Sequence, residues 1–311
     1  MLQYFTIRIL QGLLVIWLIS IVTFVVMRLM PGDPVMLLLG EGEIRISQEE
    51  IDAIRAKWGL DQPYYQQYLV WVGNLVQGDF GVSLIRRGVP VRDMIFEALP
   101  VTLQLNVYAM LLALIVAIPA GIYAGIKRNS FFDYFSATGS SLGVAMPNFW
   151  LSLMLIIIFA VPIKWIPVFG LKTWQGLILP IVVMATGQTA VLTRVMRSSI
   201  IEVLQEDYVR TAHAKGLAYR NVMTRHAVRN ALLPIVTVIG FQIAFILSGT
   251  IVVEQVFALP GIGRLLIDSV FRLDYQVVQS LFVLLAVVVV VSNLITDLLY
   301  AFIDPRIRIN T

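Results

Sequence analysis

A chain of 311 residues that is 59% hydrophobic and 14% charged does not fit a water-soluble protein, since globular domains run at about 45–50% apolar and about 25% charged. The mean hydropathy of +0.84 makes lipid the solvent for most of the chain. The net charge of +4 rests on 23 scattered Lys and Arg, too few for a phosphate-tracking surface, so no nucleic-acid partner is expected, and the absence of cysteine removes disulfides, thiolate metal sites and cysteine nucleophiles.

A membrane helix needs about 20 consecutive apolar residues to cross roughly 30 Å of hydrocarbon, so stretches free of Asp, Glu, Lys and Arg are the candidates. The first is 9–27. It reads as a retained helix and not as a secretory leader, because its one basic flank is Arg8, its apolar run is longer than about 15 residues, and Met30-Pro31-Gly32-Asp33-Pro34 offers no small-x-small cleavage site. Residues 30–97 follow as a large connecting segment with ten acids against six bases. Within it, Ser47-Gln48-Glu49-Glu50 reads as a capping box ahead of a helix carrying Ile51, Ile54 and Trp58, with Gly59 as its stop. Residues 62–78 are also free of charge, but with Tyr64, Tyr65, Gln66, Gln67, Tyr68 and Trp71 they suit a membrane surface or a loop helix. This segment is a cap over a pore or a docking surface for an external partner; a solvated spacer with two surface helices accounts for the same residues.

Five further windows, 98–126, 134–163, 173–193, 230–253 and 275–296, bring the expected total to six spans in an all-α, polytopic membrane fold. Pro119 with Gly121 and Gly125, Gly139 with Gly143 and Pro147, and Pro180 with Gly187 lie inside them. Close packing and kinks explain such residues in membrane helices without a gate. With the N-terminus in the cytoplasm, the inner segments hold twelve bases (Arg8, Lys127, Arg128, Arg194, Arg197, Arg210, Lys215, Arg220, Arg225, Arg229, Arg306 and Arg308) and the short outer loops four (Lys164, Lys172, Arg264 and Arg272). The reverse orientation inverts that ratio, so both termini are expected in the cytoplasm.

The longest cytoplasmic stretch is 197–230. Glu206 and Asp207 precede Arg210 and Lys215, and Gly216 follows: acids first, bases last and a glycine stop describe a short helix aligned with its own dipole. A second helix with Arg220, Arg225 and Arg229 on its polar side follows it. A positive anchor needs no such pair of helices, whereas a rigid knob can engage a soluble partner.

The string Glu206-Asp207-Tyr208-Val209-Arg210-Thr211-Ala212-His213-Ala214-Lys215-Gly216-Leu217, continued by 225–234 up to Leu233-Pro234, resembles the cytoplasmic coupling segment of ABC-importer permeases, and within them the dipeptide, oligopeptide and nickel branch. Arg210-Thr211-Ala212 stands where the general motif has Glu-Ala-Ala, and Leu233-Pro234 comes later than the general spacing; both departures are that branch's own pattern. Pro31-Gly32-Asp33-Pro34, Gly59-Leu60-Asp61-Gln62-Pro63, Gly78-Asp79-Phe80-Gly81, Pro260-Gly261-Ile262-Gly263-Arg264, Asp274-Tyr275 and Asp304-Pro305-Arg306-Ile307-Arg308 extend the resemblance to the B-type permease subunit over essentially the whole chain.

The resemblance implies the type I importer permease fold in the inner, cytoplasmic membrane. It implies a heterodimer with a second homologous permease, two cytoplasmic ATPase subunits and an extracytoplasmic substrate-binding protein, working by alternating access. The resemblance further implies that ATP and magnesium belong to the partner ATPases and no cofactor to this chain, in keeping with the lack of a Gly-x-x-x-x-Gly-Lys-Ser/Thr phosphate loop; no enzymatic activity and no catalytic or metal residues are expected of it. Glu206, Asp207, Tyr208, Arg210, Thr211, Ala212, Ala214, Lys215 and Gly216 are the expected ATPase-coupling residues, and Arg264, Asp268, Arg272 and Asp274 the expected binding-protein docking or outer-gate residues. The expected division is helix 1 (1–29), a partly helical extracytoplasmic loop (30–97), the permease core (98–302) and a cytoplasmic tail (303–311). Dipeptides or oligopeptides are the expected cargo, with a nickel chelate or glutathione as alternatives. An ion-coupled transporter would place ionisable residues inside the spans, where only Asp297 and Glu254 sit at borders. An intramembrane enzyme is disfavoured because His213 and His226 both fall in the polar segment 197–230.

Overall fold

A computed structural model describes residues 2–29, 48–57, 59–86, 88–163, 165–171, 173–244 and 246–303. Ser47 of the expected capping box, Trp58, the Pro31–Pro34 motif and the 304–308 motif lie outside these residues. Among the described residues the structure is helical, with one antiparallel bridge between Val82 and Pro90. The helices are α1 (Leu2–Leu29), α2 (Gln48–Lys57), α3 (Tyr64–Val76), α4 (Val91–Ile126), α5 (Phe131–Ala145) and α6 (Asn148–Leu155, prolonged by a π turn over Ile156–Ala160). After a 3-10 turn at Trp174–Leu177 come α7 (Ile178–Val203) and α8 (Asp207–Ala214). The composite α9 joins Tyr219–Asn221, a π turn over Val222–Val228, and Arg229–Ala231. Last are α10 (Leu233–Ala244), α11 (Ile246–Val256), α12 (Ile262–Phe271) and α13 (Tyr275–Ile303).

Four stretches are long and apolar enough to cross a membrane, Thr6–Leu29, Val91–Ile126, Trp174–Val203 and Tyr275–Thr296, and a bent pair raises the number to as many as five. That pair is the third expected window, which is not one straight span: α5 and α6 meet at 104°. Pro147 has no amide to donate and drives the residue before it out of the helical region, and Met146 accordingly sits at φ −75°, ψ 121°. The fifth window is covered by α10 and α11 on either side of residue 245, which is outside the described residues. α3, the charge-free stretch assigned to a loop, is 13 residues long, too short to span. The helices also outrun the charge-free windows, α4 starting at Val91 and α7 continuing past Arg194 and Arg197 to Val203.

The chain forms two compact units. The first comprises Met1–Pro100 with Gly261–Val291. In it Phe24, Trp71 and Val283 are buried together with Tyr68 and Leu75 packed around them, so the aromatics that argued against a span anchor α3 on the apolar helices α1 and α13. α2 stops at Gly59, where Leu60 N donates to Arg55 O (2.9 Å) and Gly59 N to Ala56 O (3.1 Å), the paired bonds of a Schellman stop. Arg28, at the end of α1, lies over the rings of Phe24 and Tyr275 at 5.1 and 5.6 Å.

The second unit comprises Val101–Pro260 with Ser292–Thr311. On α4 a row at four-residue spacing, Val101, Leu105, Ala109, Ala113, Ala117, Gly121 and Gly125, is buried along its whole length. Rows at this spacing are the ridges by which helices pack, and small residues in them let backbones approach. A Cβ on Gly121 would lie 2.6 Å from Met196 Cβ and 2.9 Å from Thr193 O, and one on Gly125 2.7 Å from Ile200 Cγ2 and 3.0 Å from Arg197 O. The Gly-rich end of α4 is therefore in direct contact with the last turns of α7.

Candidate functional site

The segment singled out by its order of charges folds as a knob on the end of α7. α8 begins after Glu206, whose carbonyl accepts the amides of Val209 (3.0 Å) and Arg210 (3.3 Å), and Asp207 supplies an acid in the first turn, where it complements the helix dipole. The helix ends at Lys215, and Gly216 takes φ +75°. Gly216 N then donates to His213 O (2.9 Å) and Leu217 N to Ala212 O (3.4 Å), a second Schellman stop. Only a residue tolerant of left-handed backbone closes the helix this way.

Eight residues are too few for a helix stable in isolation, so α8 depends on its underside. Val209 and Ala212 are buried with Val222 of α9, and Val203 and Leu204 from the end of α7 pack against them. Burial of each Val contributes roughly 1.5–3 kcal/mol at most. Tyr208 Oη accepts a hydrogen bond from Asn230 Nδ2 at 3.0 Å, and His213 stacks on Tyr219 at 6.1 Å, so α8 and α9 are clamped at both ends.

The expected coupling residues Glu206, Asp207, Tyr208, Arg210, Thr211, Ala214, Lys215 and Gly216 are all exposed on this knob, while Ala212 is buried on its underside. Asp207 and Arg210 approach to 3.6 Å with side chains 95% and 73% exposed, and a pair so hydrated contributes almost nothing to stability. Its charges are displayed toward solvent at little cost to rearrange. Arg220, Arg225 and Arg229 of α9 are exposed too, adding three cations to the knob. The exposed face of the knob thus carries more cations than acids.

The second expected group is split. Arg264 and Asp268 form an i,i+4 pair at 3.7 Å on α12, and Arg272 is exposed beside Phe271. Asp274 is buried: its carboxylate accepts Ser83 Oγ and the amides of Leu84 (3.1 Å) and Ile85 (3.4 Å), fixing the 83–85 turn against the start of α13. The hollow left beside Ile85, Arg86, Asp268 and Arg272 measures about 40 Å³, room for roughly one or two waters, so recognition here would be by surface and not by pocket. A larger cavity of about 360 Å³ lies in the second unit, walled by Leu112, Val116, Phe132 and Phe135 and dotted with the hydroxyls of Ser136, Ser140, Thr186, Thr189 and Thr193. Among the described residues, no charged one lines it.

Two buried polar contacts had no counterpart in the sequence reading. Glu254, placed there at a window border, is wholly buried and accepts Thr102 Oγ1 at 2.6 Å. Asp133 pairs with Arg197 across 64 residues of sequence; each alone reads as an ordinary loop-end charge.

Residues 117–309 match the family described as binding-protein-dependent transport system inner membrane component, and residues 1–106 the N-terminal family of the same membrane component. The chain is 43% identical to the oligopeptide transport system permease protein AppB of Bacillus subtilis (strain 168) over 318 positions, covering 99% of this chain and 100% of that protein. It is 41% identical to the glutathione transport system permease protein GsiC of Escherichia coli (strain K12) over 309 positions, 99% of each chain. A solved amino acid ABC transporter chain superposes with a TM-score of 0.49 at 16% identity, covering 69% of this chain and 94% of that one.

Proposed function

The chain belongs to the binding-protein-dependent transport system inner membrane components, multi-pass permeases of ABC importers, and on that footing we propose that it forms half of the translocation pore of an ATP-driven peptide importer. The two relatives are named for oligopeptide and for glutathione, both peptides, which supports a peptide cargo here. The other half of the pore is a second, homologous permease. The chain crosses the membrane six times, the bent α5–α6 pair and the α10–α11 pair each counting once, with both ends and the α8–α9 knob in the cytoplasm and 30–97 outside. ATP and magnesium are held by the partner ATPases, and this chain contributes no cofactor site.

The observation that carries the mechanism is the α8 knob: a stopped helix whose underside is packed on the end of α7 and whose charged outer face is exposed. It docks in a groove of an ATPase subunit through Glu206, Asp207, Tyr208, Arg210, Thr211, Ala214, Lys215 and Gly216, with Ala212 as its packing floor. Closure of the ATPases moves α8 and, through it, α7, exchanging inward- and outward-facing states. ATP and the loaded binding protein shift that equilibrium only by binding the outward-facing state more tightly. Outside, Arg264, Asp268 and Arg272 meet the binding protein, and Asp274 holds the shape of that corner.

Replacing Arg210 and Lys215 by Glu reverses the cationic end of α8 without touching Val209 or Ala212. The variant is expected to insert normally and to lose roughly ten-fold or more in peptide uptake, the scale of loss when charges meet a like-signed partner face. Uptake at the wild-type rate by the inserted variant would remove this segment from coupling.

A further inference from the structure

Asp133 stands in the first turn of α5 with its side chain 2% exposed, and Arg197 stands in α7 with its side chain 28% exposed. The guanidinium engages the carboxylate as a fork, Nε on Oδ1 and Nη2 on Oδ2 at 2.8 Å, and the Asn129 amide adds a third donor at 2.9 Å. That amide is aimed by Asn129 itself, in left-handed backbone at φ +63°. Ser130 Oγ caps the same turn by accepting Asp133 N at 3.2 Å. A two-pronged pair fixes orientation as well as distance. Burial makes such a pair poor evidence for stability, since apolar residues of like volume often do as well, so its geometry is what needs explaining.

Its position supplies the explanation. Arg197 lies six residues before Val203, about 9 Å along α7 at roughly 1.5 Å per residue, and Val203 and Leu204 are the residues on which α8 is seated. At the level of Arg197 there is no slack toward α4, because the Arg197 carbonyl would lie 3.0 Å from a Cβ on Gly125. The far end of α5 is the 104° elbow into α6. We propose that Asp133 and Arg197 are positioning residues for transport: a strut that makes the α5–α6 elbow follow α7 when the ATPases displace α8. This rests on the coupling reading given above.

The test uses the complete importer, with its second permease, ATPases and binding protein, reconstituted in proteoliposomes, and reads peptide uptake and ATP hydrolysis in the same vesicles. Asp133→Asn and Arg197→Lys each keep a polar side chain of similar size and lose the fork. The expected result is ATPase subunits co-purifying as in the wild type, binding-protein-stimulated hydrolysis kept within about twofold, and peptide delivered per ATP falling roughly ten-fold, inside the range usual for coupling between sites. Unchanged delivery per ATP in either variant overturns the proposal. So does a parallel loss of uptake, hydrolysis and ATPase co-purification, which would mark the pair as packing only. If Asp133→Asn does not accumulate in the membrane, Arg197→Lys decides by the same criteria, and failure of both to accumulate also overturns it. The coupling reading fails separately, through normal uptake by Arg210→Glu with Lys215→Glu, whatever the strut variants do.

Discussion

Two glycines of the second unit separate a contact requirement from a composition habit. A methyl at Gly125 meets Ile200 Cγ2 at 2.7 Å and backbone at 3.0 Å, whereas one at Gly139 meets nothing within 4 Å. Gly125→Ala is therefore expected to cost about 1–3 kcal/mol by overpacking, while Gly139→Ala is expected to be neutral or slightly stabilising, since Ala outranks Gly in helices by about 1 kcal/mol. Thermal unfolding of the two purified variants in one detergent checks the order; equal melting temperatures would mean that the α4–α7 crossing is looser than these distances. The sequence displayed both glycines as similar interruptions of apolar windows. Which one faces a neighbouring helix depends on the buried row Val101 to Gly125, a pattern visible at four-residue spacing once the partner helix is known.

At the scale of elements, local grammar was legible and distant pairing was not. α8 could be read because its acids, bases and stop all fall within 206–216. The bend after α5 was half legible: Pro147 announced a break, but the 104° angle goes with what each arm packs on, α5 on α7 and α6 on α7 and α11. Asp274 is expected from the sequence as a docking or outer-gate residue with Arg264, Asp268 and Arg272, and the structure buries it on a turn 191 positions away along the chain. Removing its carboxylate leaves Ser83 Oγ and two amides without their acceptor, at about 1–3 kcal/mol for an unsatisfied buried group. Asp274→Ala is accordingly expected to loosen the 83–85 turn, seen as faster hydrogen exchange at Leu84 and Ile85, and to weaken capture of the loaded binding protein. Unchanged exchange at those two amides would show that the turn holds itself.

Across the whole molecule, composition sufficed for the solvent and the charge-free windows for most spans, because hydrocarbon thickness dictates their length. Charges blurred the ends: α7 carries Arg194 and Arg197 within its helix, as long basic side chains can when they reach a partner or the interface. The proposed orientation is open to direct measurement, since the chain has no cysteine of its own. Asp61→Cys is expected to react with a membrane-impermeant maleimide in cells with an intact inner membrane, and Tyr219→Cys only after that membrane is permeabilised. The opposite order would invert the topology and remove the knob from the ATPase side.

The shortness of α8 has a consequence for assembly. Its shape is lent by Val203 and Leu204 below and by Val222 and Asn230 alongside, so the surface an ATPase would read exists only when residues 203–230 have already folded onto a seated α7. A free peptide of the same sequence presents the same charges without the helix that arranges them. On the proposed docking, a chain mis-inserted at α7 would offer an ATPase no foothold.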